Sequence, residues 1–489
     1  MKENRIAIIG SGIGALSAAI QLAHKNYVVN IFESNPYAGG KLSEFKQGAY
    51  RFDAGPSVFT LPEKVLQLLR LAGVSEHEFP MQKLEIGCTY FYEDGTHLTA
   101  YTNKEKLAKE LNEKLKISTD STLKYLEKSQ KKYAATAPLF IESSLHKMST
   151  FLSLKTVKGI LAIPYLGLFK TMHQQNKADL KEAHLVQFFN RYATYNGSNP
   201  YQAPAILTMI PHLEHGIGTY FPKNGMIQIT NSLVEAAKKL GVQFHFNERV
   251  EKISVTNNEV KGIEVNGMFL PFNRVISNMD VYPTYKKLLW QQPAPEKLLN
   301  QEKSSSAIIF YWGIKASFKE LDLHNIFFSE DYEAEFEHIF KKKSIYHDPT
   351  VYVNISCKYL PTDAPNGCEN WFVMVNVPPN TGQDWDVLIA ETRKNVLQKL
   401  SRLLNKPIES MIENESVLDP RLIEERTSSF GGSLYGNASN NRYAAFLRHA
   451  NFSSKIKGLY FCGGSVHPGG GIPLCISSGT LVAQEILAT

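Results

Sequence analysis

A glycine-rich turn close to the N terminus has the residue types and spacing of a dinucleotide-binding loop. Gly10, Gly12 and Ala15 fill the three small-residue positions of the pattern G-x-G-x-x-G/A. The first glycine permits a tight turn, the second lets backbone approach a pyrophosphate, and the alanine allows a helix to pack closely on the preceding strand. The partial positive charge at the start of that helix would then bind the pyrophosphate.

The flanking segments predict the strand, helix and strand that such a loop requires. A short apolar strand, Arg5–Ile9, precedes the turn, and helical periodicity follows from Leu16 to Ala23. A second predicted strand, Val28–Phe32, leads into Glu33, whose carboxylate can accept hydrogen bonds from the ribose hydroxyls of an adenosine and disfavours a 2′-phosphate. The combination predicts dinucleotide binding; the alternative is a βαβ unit with only a structural role.

Two further glycine segments favour FAD over NAD as the dinucleotide. Gly39, Gly40 and Lys41 come soon after the acidic residue. At this position in flavoproteins with two dinucleotide-binding domains, a glycine pair lets backbone pass close to the cofactor, and the lysine could pair with its phosphates. A second turn at Gly55 and Pro56 could form a wall beside the flavin, although an ordinary turn has the same composition.

The C-terminal region repeats the arrangement of strand, glycine-rich segment and helix. Gly458–Cys462 reads as a buried strand, residues 463–471 are rich in glycine, and a final helix is predicted from about Leu474 to Leu487. Pro473 suits the first position of a helix. The N terminus of this helix could point at the flavin ring and stabilise an anionic reduced flavin, so both ends of the chain are predicted to form one site.

Five longer motifs extend over nearly the whole chain. They are Arg191–Ser198, Tyr220–Met226, His324–Ser329, Gly432–Gly436 and, the most specific, His467–Pro473 with the sequence HPGGGIP. With the two glycine-rich ends, these motifs resemble the bacterial carotenoid desaturases of the phytoene desaturase family, which are FAD-dependent oxidoreductases with an amine-oxidase-like fold. The resemblance implies that fold and that cofactor for this chain.

The resemblance also assigns cofactor contacts, residue by residue. In this sequence Val250 matches the position whose backbone meets adenine, and Asn278 falls near the cofactor. The positions matching the N-terminal FAD contacts are Gly10, Gly12, Ile13, Gly14, Ala15, Glu33, Gly40, Lys41, Gly55, Pro56, Ser57 and Val58. Those matching segments along the flavin and ribityl chain are Leu434, Gly463, Gly464, Gly471 and Ile472.

Three of these positions depart from the usual pattern. Ala15 replaces the commoner third glycine, and Lys41 stands where arginine is frequent. Gly464 stands where many relatives of the wider fold carry an acidic residue. The first two changes are mild, whereas the third leaves a ribityl contact to backbone groups.

The sequence predicts an α/β architecture with two interleaved domains, because 489 residues exceed a single hydrophobic core. A Rossmann-type, doubly wound FAD-binding domain is expected from three segments, residues 1–90, 215–290 and 415–489. Two long insertions, residues 91–214 and 291–414, are assigned to a mixed α+β substrate domain. Within the insertions, the pattern predicts helix over residues 104–132 and strands at Ile308–Trp312 and Trp371–Val375.

Composition and charge restrict the partners and the compartment. A formal net charge of +6 over this length does not indicate a nucleic-acid surface. The five cysteines are scattered without metal-ligand spacing, which predicts reduced thiols in the cytoplasm and no metal site. The start of the chain does not have the pattern of a secretion signal, and no apolar stretch is long enough to span a bilayer.

One stretch nevertheless indicates contact with a membrane surface. Residues 143–178 contain no acidic residue, and lysines alternate with large apolar side chains along them. The lysines are Lys147, Lys155, Lys158, Lys170 and Lys177. Such a stretch can lie in an anionic membrane interface; the alternative is a buried helix pair with solvated lysines. A bilayer-dissolved substrate favours peripheral association with the cytoplasmic membrane.

The implied reaction is the dehydrogenation of an allylic C–C bond by hydride transfer to flavin N5, followed by loss of a proton from the neighbouring carbon. Delocalisation in the polyene lowers the need for a strong base, so the protein mainly orients the substrate and excludes water. No general base is assigned. His467 is close to the flavin segment, but it could simply fix the glycine loop. Reoxidation would use a quinone or oxygen.

Within the family, the segments 40–44 and 50–57 look closer to the branch that introduces the C-3,4 double bond into 1-hydroxylated acyclic or monocyclic carotenoids. A phytoene desaturase is the first alternative, and an isomerase or oxidase of the same fold is another. A flavin-free lipid-binding carrier that resembles the prenyl-protein escort proteins is a different class, which the intact glycine loop and Glu33 disfavour. An NAD-dependent dehydrogenase would leave the C-terminal HPGGG segment without a role.

Overall fold

The computed structural model describes residues 4–147, 150, 169–441 and 447–488. Most of the lysine-rich stretch, residues 148–149 and 151–168, therefore lies outside the described residues. The described chain contains runs of consecutive strands as well as helices, and the strands form two large sheets and three small ones.

The strands, in chain order, are β1 Arg5–Ile9, β2 Val28–Glu33, β3 Glu44–Gln47, β4 Tyr50–Asp53, β5 Met81–Lys83, β6 Ile86–Phe91, β7 His97–Tyr101, β8 Tyr220–Pro222, β9 Gln243–Phe246, β10 Val250–Thr256, β11 Glu259–Val265, β12 Met268–Pro271, β13 Arg274–Ser277, β14 Ser306–Ile314, β15 His324–Phe327, β16 Val351–Asn354, β17 Glu369–Val377, β18 Ile412–Leu418 and β19 Leu459–Phe461.

Among the described residues, the helices of eight residues or more are α1 Ile13–His24, α2 Glu63–Leu71, α3 Lys104–Leu115, α4 Thr119–Phe140, α5 Met172–Leu180, α6 Ala183–Asn190, α7 Ile227–Lys239, α8 Trp385–Leu403, α9 Pro420–Thr427 and α10 Ile472–Leu487. Shorter α-helical turns lie at Val281–Pro283, Glu296–Leu299, Tyr332–Glu337 and Ile408–Met411. Within these described ranges, no helix has the length and apolar content needed to cross a membrane.

A five-stranded parallel sheet, in the order β19-β13-β1-β2-β9, forms the first large sheet. Side chains alternate between its two faces, as strand geometry requires. Ile6 and Ile8 pack toward α1, α7 and α10, whereas Ala7 and Ile9 pack toward the three-stranded antiparallel sheet β10-β11-β12. Because all five strands are parallel, their carboxyl ends meet along one edge of the sheet.

The second large sheet has seven strands, in the order β18-β14-β17-β16-β15-β6-β7. Its strands pair antiparallel except β15 with β6. On the outer face, Phe310 and Trp371 pack against α8. On the inner face, Tyr311 and Phe372 pack against Tyr50 of the β3-β4 hairpin. The inner face therefore looks toward the segment that follows that hairpin.

The predicted strands at 308–312 and 371–375 lie within β14 and β17, and the predicted strand before the C-terminal glycine segment is β19. The helical region from 104 is two helices, because Lys116 has φ +59° and ends α3. The final helix begins at Ile472, two residues before the predicted start, with Pro473 in its first turn.

The sheet topology places two boundaries differently from the sequence analysis. The predicted boundary at residue 90 cuts β6, which pairs with β15 and β7 in the seven-stranded sheet. The predicted boundary at 414 likewise cuts β18, which pairs with β14. The backbone hydrogen bonds therefore move the division between the sheets to before Ile86 and after Leu418.

Candidate functional site

The candidate site lies where the carboxyl ends of the parallel strands meet. Gly10 N–H donates to the Phe32 carbonyl at 2.8 Å, which brings the glycine turn beside the end of β2. Asn278 N–H donates to the Ile9 carbonyl at 2.8 Å and Cys462 N–H to the Ser277 carbonyl at 3.0 Å. These bonds align the ends of β1, β13 and β19, so the N-terminal and C-terminal glycine segments share one edge.

Asn278 is the side chain that joins the two glycine segments. Its Nδ2 donates to the Cys462 carbonyl at 3.2 Å. A Cβ added to Gly12 would lie 2.6 Å from Asn278 Oδ1, and one added to Gly14 would lie 3.0 Å from both Asn278 Nδ2 and the nitrogen of Gly463. A side chain at Gly12 would thus displace the Asn278 amide, and one at Gly14 would press on the Gly463 backbone.

Two helices begin at this edge without a side-chain cap. Gly12 is the N-cap of α1, and Gly471 is the N-cap of α10. The first-turn N–H groups of a helix have no partner within the helix, and together with the helix dipole they attract anions. A Cβ on Gly471 would meet nothing within 4 Å, so its backbone adjoins open space. This donor set fits a dinucleotide phosphate near α1 and an electron-rich ring near α10.

Glu33 is held in place by short hydrogen bonds within the same corner. Its Oε2 accepts from the backbone N–H of Ser11 at 2.9 Å and from the Ser11 hydroxyl at 2.7 Å. Its Oε1 accepts from the backbone and side-chain amides of Asn35, both at 2.9 Å. The backbone of Glu248 donates to the Glu33 carbonyl at 2.9 Å, which brings the buried Val250 into this corner.

Lys41 points toward the segment around Leu434. Its Nζ donates to the carbonyl of Ser433 at 3.0 Å and to that of Leu434 at 2.9 Å. Burial lowers the pKa of Lys41 to about 8, and the nearby Asp280 raises it by a smaller amount. The structure therefore shows Lys41 fastening a backbone segment of the site, while its pairing with cofactor phosphates stays a prediction.

The Gly55–Val58 turn runs between the dinucleotide corner and the seven-stranded sheet. A Cβ on Gly55 would overlap the Lys41 carbonyl oxygen, so only glycine fits there. The Tyr311 hydroxyl donates to the Ala54 carbonyl at 2.8 Å, and the Ser57 and Tyr352 hydroxyls lie 2.7 Å apart. Two tyrosines of the inner face thus fix this half-buried turn.

His467 takes a structural position in the C-terminal glycine loop. Its Nε2 lies 2.9 Å from the Ser143 carbonyl oxygen, and its own carbonyl accepts from Asn451 Nδ2 at 2.8 Å. Burial lowers the pKa of His467 to about 4. These contacts favour the interpretation that this histidine fixes the loop.

Arg448 is a site residue that the sequence analysis missed. Its guanidinium donates to the carbonyls of Tyr435 at 3.2 Å, Asn437 at 3.0 Å and Gly464 at 3.4 Å. It thereby ties the segment after Leu434 to the C-terminal glycine loop. A lone arginine 16 residues before Gly464 carries no local pattern, so only the folded backbone reveals this role.

The remaining predicted positions lie in the same region. Ile13, Ala15 and Ile472 are buried in the first turns of their helices. A Cβ on Gly40 would have only the Gly12 Cα, at 3.7 Å, as a neighbour within 4 Å. The structure therefore brings the predicted glycine segments together at the carboxyl edge of the five-stranded sheet, and the Gly55–Val58 turn joins this edge to the inner face of the seven-stranded sheet.

Comparison with known proteins agrees with this geometry. The family model described as flavin containing amine oxidoreductase matches residues 16–487. The chain is 52% identical to 1-hydroxycarotenoid 3,4-desaturase of Flavobacterium sp. (strain P99-3), covering 98% of each chain. It is 31% identical to 4,4'-diapolycopene oxygenase of Methylomonas sp, covering 99% of this chain and 98% of that protein.

The fold is also shared with a solved structure of different sequence. Wild-type putrescine oxidase bound to putrescine superimposes with a TM-score of 0.64 at 14% identity, covering 100% of this chain and 99% of that one. At this identity the likeness concerns the fold alone. Together with the uncapped helix starts at Gly12 and Gly471, these matches show that the chain belongs to the flavin containing amine oxidoreductase family and is a flavin-dependent oxidoreductase.

Proposed function

We propose that this protein is an FAD-dependent carotenoid desaturase that introduces the C-3,4 double bond into a 1-hydroxylated carotenoid. The observation that carries the proposal is the similarity, over almost the full length of both chains, to the Flavobacterium 3,4-desaturase. The site geometry supports it, because the glycine-rich edge of the five-stranded sheet is joined through the Gly55–Val58 turn to the aromatic inner face of the seven-stranded sheet.

The flavin dinucleotide is proposed to be FAD. Glu33 suits the ribose of the adenosine half, and the first turn of α1 suits the pyrophosphate. The first turn of α10, with Gly471 and Ile472, would lie at the ring end. The full set of proposed contacts remains Gly10, Gly12, Ile13, Gly14, Ala15, Glu33, Gly40, Lys41, Gly55, Pro56, Ser57, Val58, Val250, Asn278, Leu434, Gly463, Gly464, Gly471 and Ile472.

In the proposed reaction, bound FAD supplies the hydride acceptor. The protein's own contribution is to hold a long apolar chain against the cofactor and to exclude water. The aromatic inner face of the seven-stranded sheet, with Tyr311, Tyr352 and Phe372, suits the first task. Because a polyene delocalises positive charge, the step after hydride loss needs only a weak proton acceptor, and the contacts of His467 do not support it in that role.

We also propose peripheral contact with an anionic membrane, since a carotenoid dissolves in the bilayer. The support is the acid-free, lysine-rich composition of residues 143–178 and the exposure of Phe169, which is 89% accessible. Lys170 and Lys177 are exposed as well. Lys147 is different, because it pairs with Glu485 in α10. A cytoplasmic location at the membrane and reoxidation by a quinone or oxygen belong to the same proposal.

The proposal is tested by incubating the FAD-loaded protein in liposomes with a 1-hydroxylated acyclic carotenoid or with phytoene. We expect the hydroxylated carotenoid to gain one double bond, and its absorption maximum to move to longer wavelength. Conversion of phytoene alone would assign the protein to the phytoene desaturases instead. A protein that binds no flavin would favour the lipid-binding carrier.

A further inference from the structure

The inner face of the seven-stranded sheet carries a row of polar groups beside the predicted flavin turn. Ser57 lies in that turn, and its hydroxyl is 2.7 Å from the Tyr352 hydroxyl. The Tyr352 hydroxyl is in turn 2.7 Å from Nδ1 of His324. His324 is thus linked to the predicted flavin wall through a single tyrosine.

His324 has one nitrogen without a hydrogen-bond partner. The residue is only 3% exposed, and its Nε2 is among the buried polar atoms of the described chain that contact no donor or acceptor. Buried polar groups are nearly always satisfied, so an orphaned imidazole nitrogen calls for a ligand or a bound water. Burial lowers the pKa of His324 to about 4. Glu214 raises this pKa and Arg191 lowers it, both by smaller amounts, so the ring is neutral.

The hydrogen bonds around Nδ1 indicate which tautomer the ring adopts. Asn354 Nδ2 donates to the Leu323 carbonyl at 3.0 Å and also lies 3.2 Å from His324 Nδ1. A donor amide at this distance favours a lone pair on Nδ1, which places the proton on Nε2. The orphaned group is then an N–H donor, and the other tautomer would instead leave an orphaned acceptor.

The proposed substrate carries a hydroxyl group, which can hydrogen-bond Nε2, close to the carbon–carbon bond that reacts at the flavin. The 1-hydroxyl is separated from C3 of the reacting bond by only two carbon–carbon bonds, so whatever binds it must adjoin the flavin. A hydroxyl both donates and accepts, and it therefore satisfies Nε2 in either tautomer, whereas a hydrocarbon end satisfies neither. Ile326, a member of the apolar cluster on this side of the sheet, follows His324 on the same face of β15.

We propose that His324, positioned by Tyr352, binds the terminal hydroxyl of the carotenoid and selects hydroxylated over unhydroxylated chain ends. This inference rests on the proposed function and adds the residue that recognises the hydroxyl group of the substrate. In the bound state the hydrogen-bond chain runs from Ser57 through Tyr352 and His324 to the substrate oxygen. Chains of this kind polarise one another, so removal of the tyrosine hydroxyl should weaken the last bond.

The test compares His324→Phe with wild type, both loaded with FAD, by their affinity for a 1-hydroxylated carotenoid and for the same carotenoid without the hydroxyl. Loss of one neutral hydrogen bond predicts that the dissociation constant of the hydroxylated carotenoid rises about tenfold, while that of the carotenoid without the hydroxyl changes little. His324→Gln retains a donor and an acceptor and should keep part of the preference. Tyr352→Phe should lower it less than His324→Phe does.

Flavin content and the reduction of the flavin by dithionite serve as folding controls in every variant. Equal losses for both ligands in His324→Phe, or an unchanged preference, would overturn the assignment of His324. If His324→Phe fails to bind FAD, the preference measured in His324→Gln and Tyr352→Phe decides: a preference equal to wild type in both would overturn it. Failure of the proposed function is separate, because wild type would then leave the hydroxylated carotenoid unconverted.

Discussion

Gly479 in α10 lies directly against the carbonyl oxygen of Gly14 in α1. A Cβ added to Gly479 would overlap this oxygen and lie 2.7 Å from Cβ of Ser17. Ser17 also donates from its hydroxyl to the Ile476 carbonyl at 2.8 Å. The two helices that begin at the glycine-rich edge, α1 and α10, are therefore fixed to one another by backbone contact.

Gly479→Ala should separate these helices and destabilise the fold. Forcing a methyl group into a closed contact costs about 1–3 kcal/mol of unfolding free energy. Urea unfolding of the apoprotein measures this loss, and FAD content should fall with it. Gln484→Ala, at an exposed position of the same helix, is the matched control and should change little. Equal stability of the two variants would contradict the close contact.

Glu33→Gln should weaken FAD binding, and it also turns an amide NH2 group toward the donors of Ser11 or Asn35, so its urea unfolding is measured beside its affinity. The substitution keeps the shape of the side chain but removes the charge that strengthens its hydrogen bonds to Ser11 and, in the proposed complex, to the ribose hydroxyls. Loss of charge assistance predicts about a tenfold or greater rise in the FAD dissociation constant. Titration of the apoprotein by flavin fluorescence measures it, with Glu63→Gln, an exposed carboxylate of α2, as control. Unchanged affinity in Glu33→Gln would exclude the ribose role.

Lys41 should make stability rise with pH in the alkaline range. In the folded apoprotein its pKa is about 8, against 10.5 for an exposed lysine, so unfolding takes up a proton between these values. Stability relative to Lys41→Met should increase across this window, by roughly 3 kcal/mol at about 1.4 kcal/mol per pH unit. Below pH 8 the difference should be constant. Urea unfolding of both proteins at several pH values measures it, and a difference that falls with rising pH would contradict the burial.

Glu214→Gln should destabilise the buried cluster that Glu214 forms with Arg191 and Tyr192. Glu214 Oε2 accepts from Arg191 Nη2 at 3.0 Å and from the Tyr192 hydroxyl at 2.6 Å, and all three side chains are buried. Leaving the arginine charge without its partner predicts a loss of about 3–5 kcal/mol. Thermal and urea unfolding measure it.

The control for this prediction is an exposed ion pair of the same kind. Glu235→Gln breaks the contact with Lys238 on the surface of α7, where both side chains are at least half exposed. It should change stability by less than about 1 kcal/mol. Similar effects of the two substitutions would show that the buried pair carries no special stabilisation.

Local patterns in the sequence predicted the glycine turns and helix starts that the fold brings together, while their contacts with the cofactor stay a prediction. The turn at Gly10, the acidic residue at the end of β2 and the helix after Gly471 each depend on neighbours within a few residues, so their periodicity and spacing are visible. Boundaries were less accurate, because a short strand such as β6 does not indicate which sheet it joins. Backbone pairing across the chain decides that question.

The row from Ser57 to His324 could not be predicted in this way. Ser57 and Tyr352 are 295 residues apart in the chain, and their contact exists only because β16 lies beside the turn after β4. Arg448 was missed for the same reason, since its partners are backbone carbonyls with no sequence signature. Side chains that act on distant backbone become visible only in the folded structure.

In the proposed reaction, this flavoprotein removes two hydrogens from a 1-hydroxylated carotenoid. The most direct measurement is an anaerobic titration of the FAD-loaded protein in liposomes with that carotenoid, following flavin and carotenoid absorption together. We expect the amount of oxidised flavin that bleaches to equal the amount of carotenoid that gains a double bond. A flavin that stays oxidised while the carotenoid is unchanged, or a carotenoid that changes without flavin reduction, would contradict it.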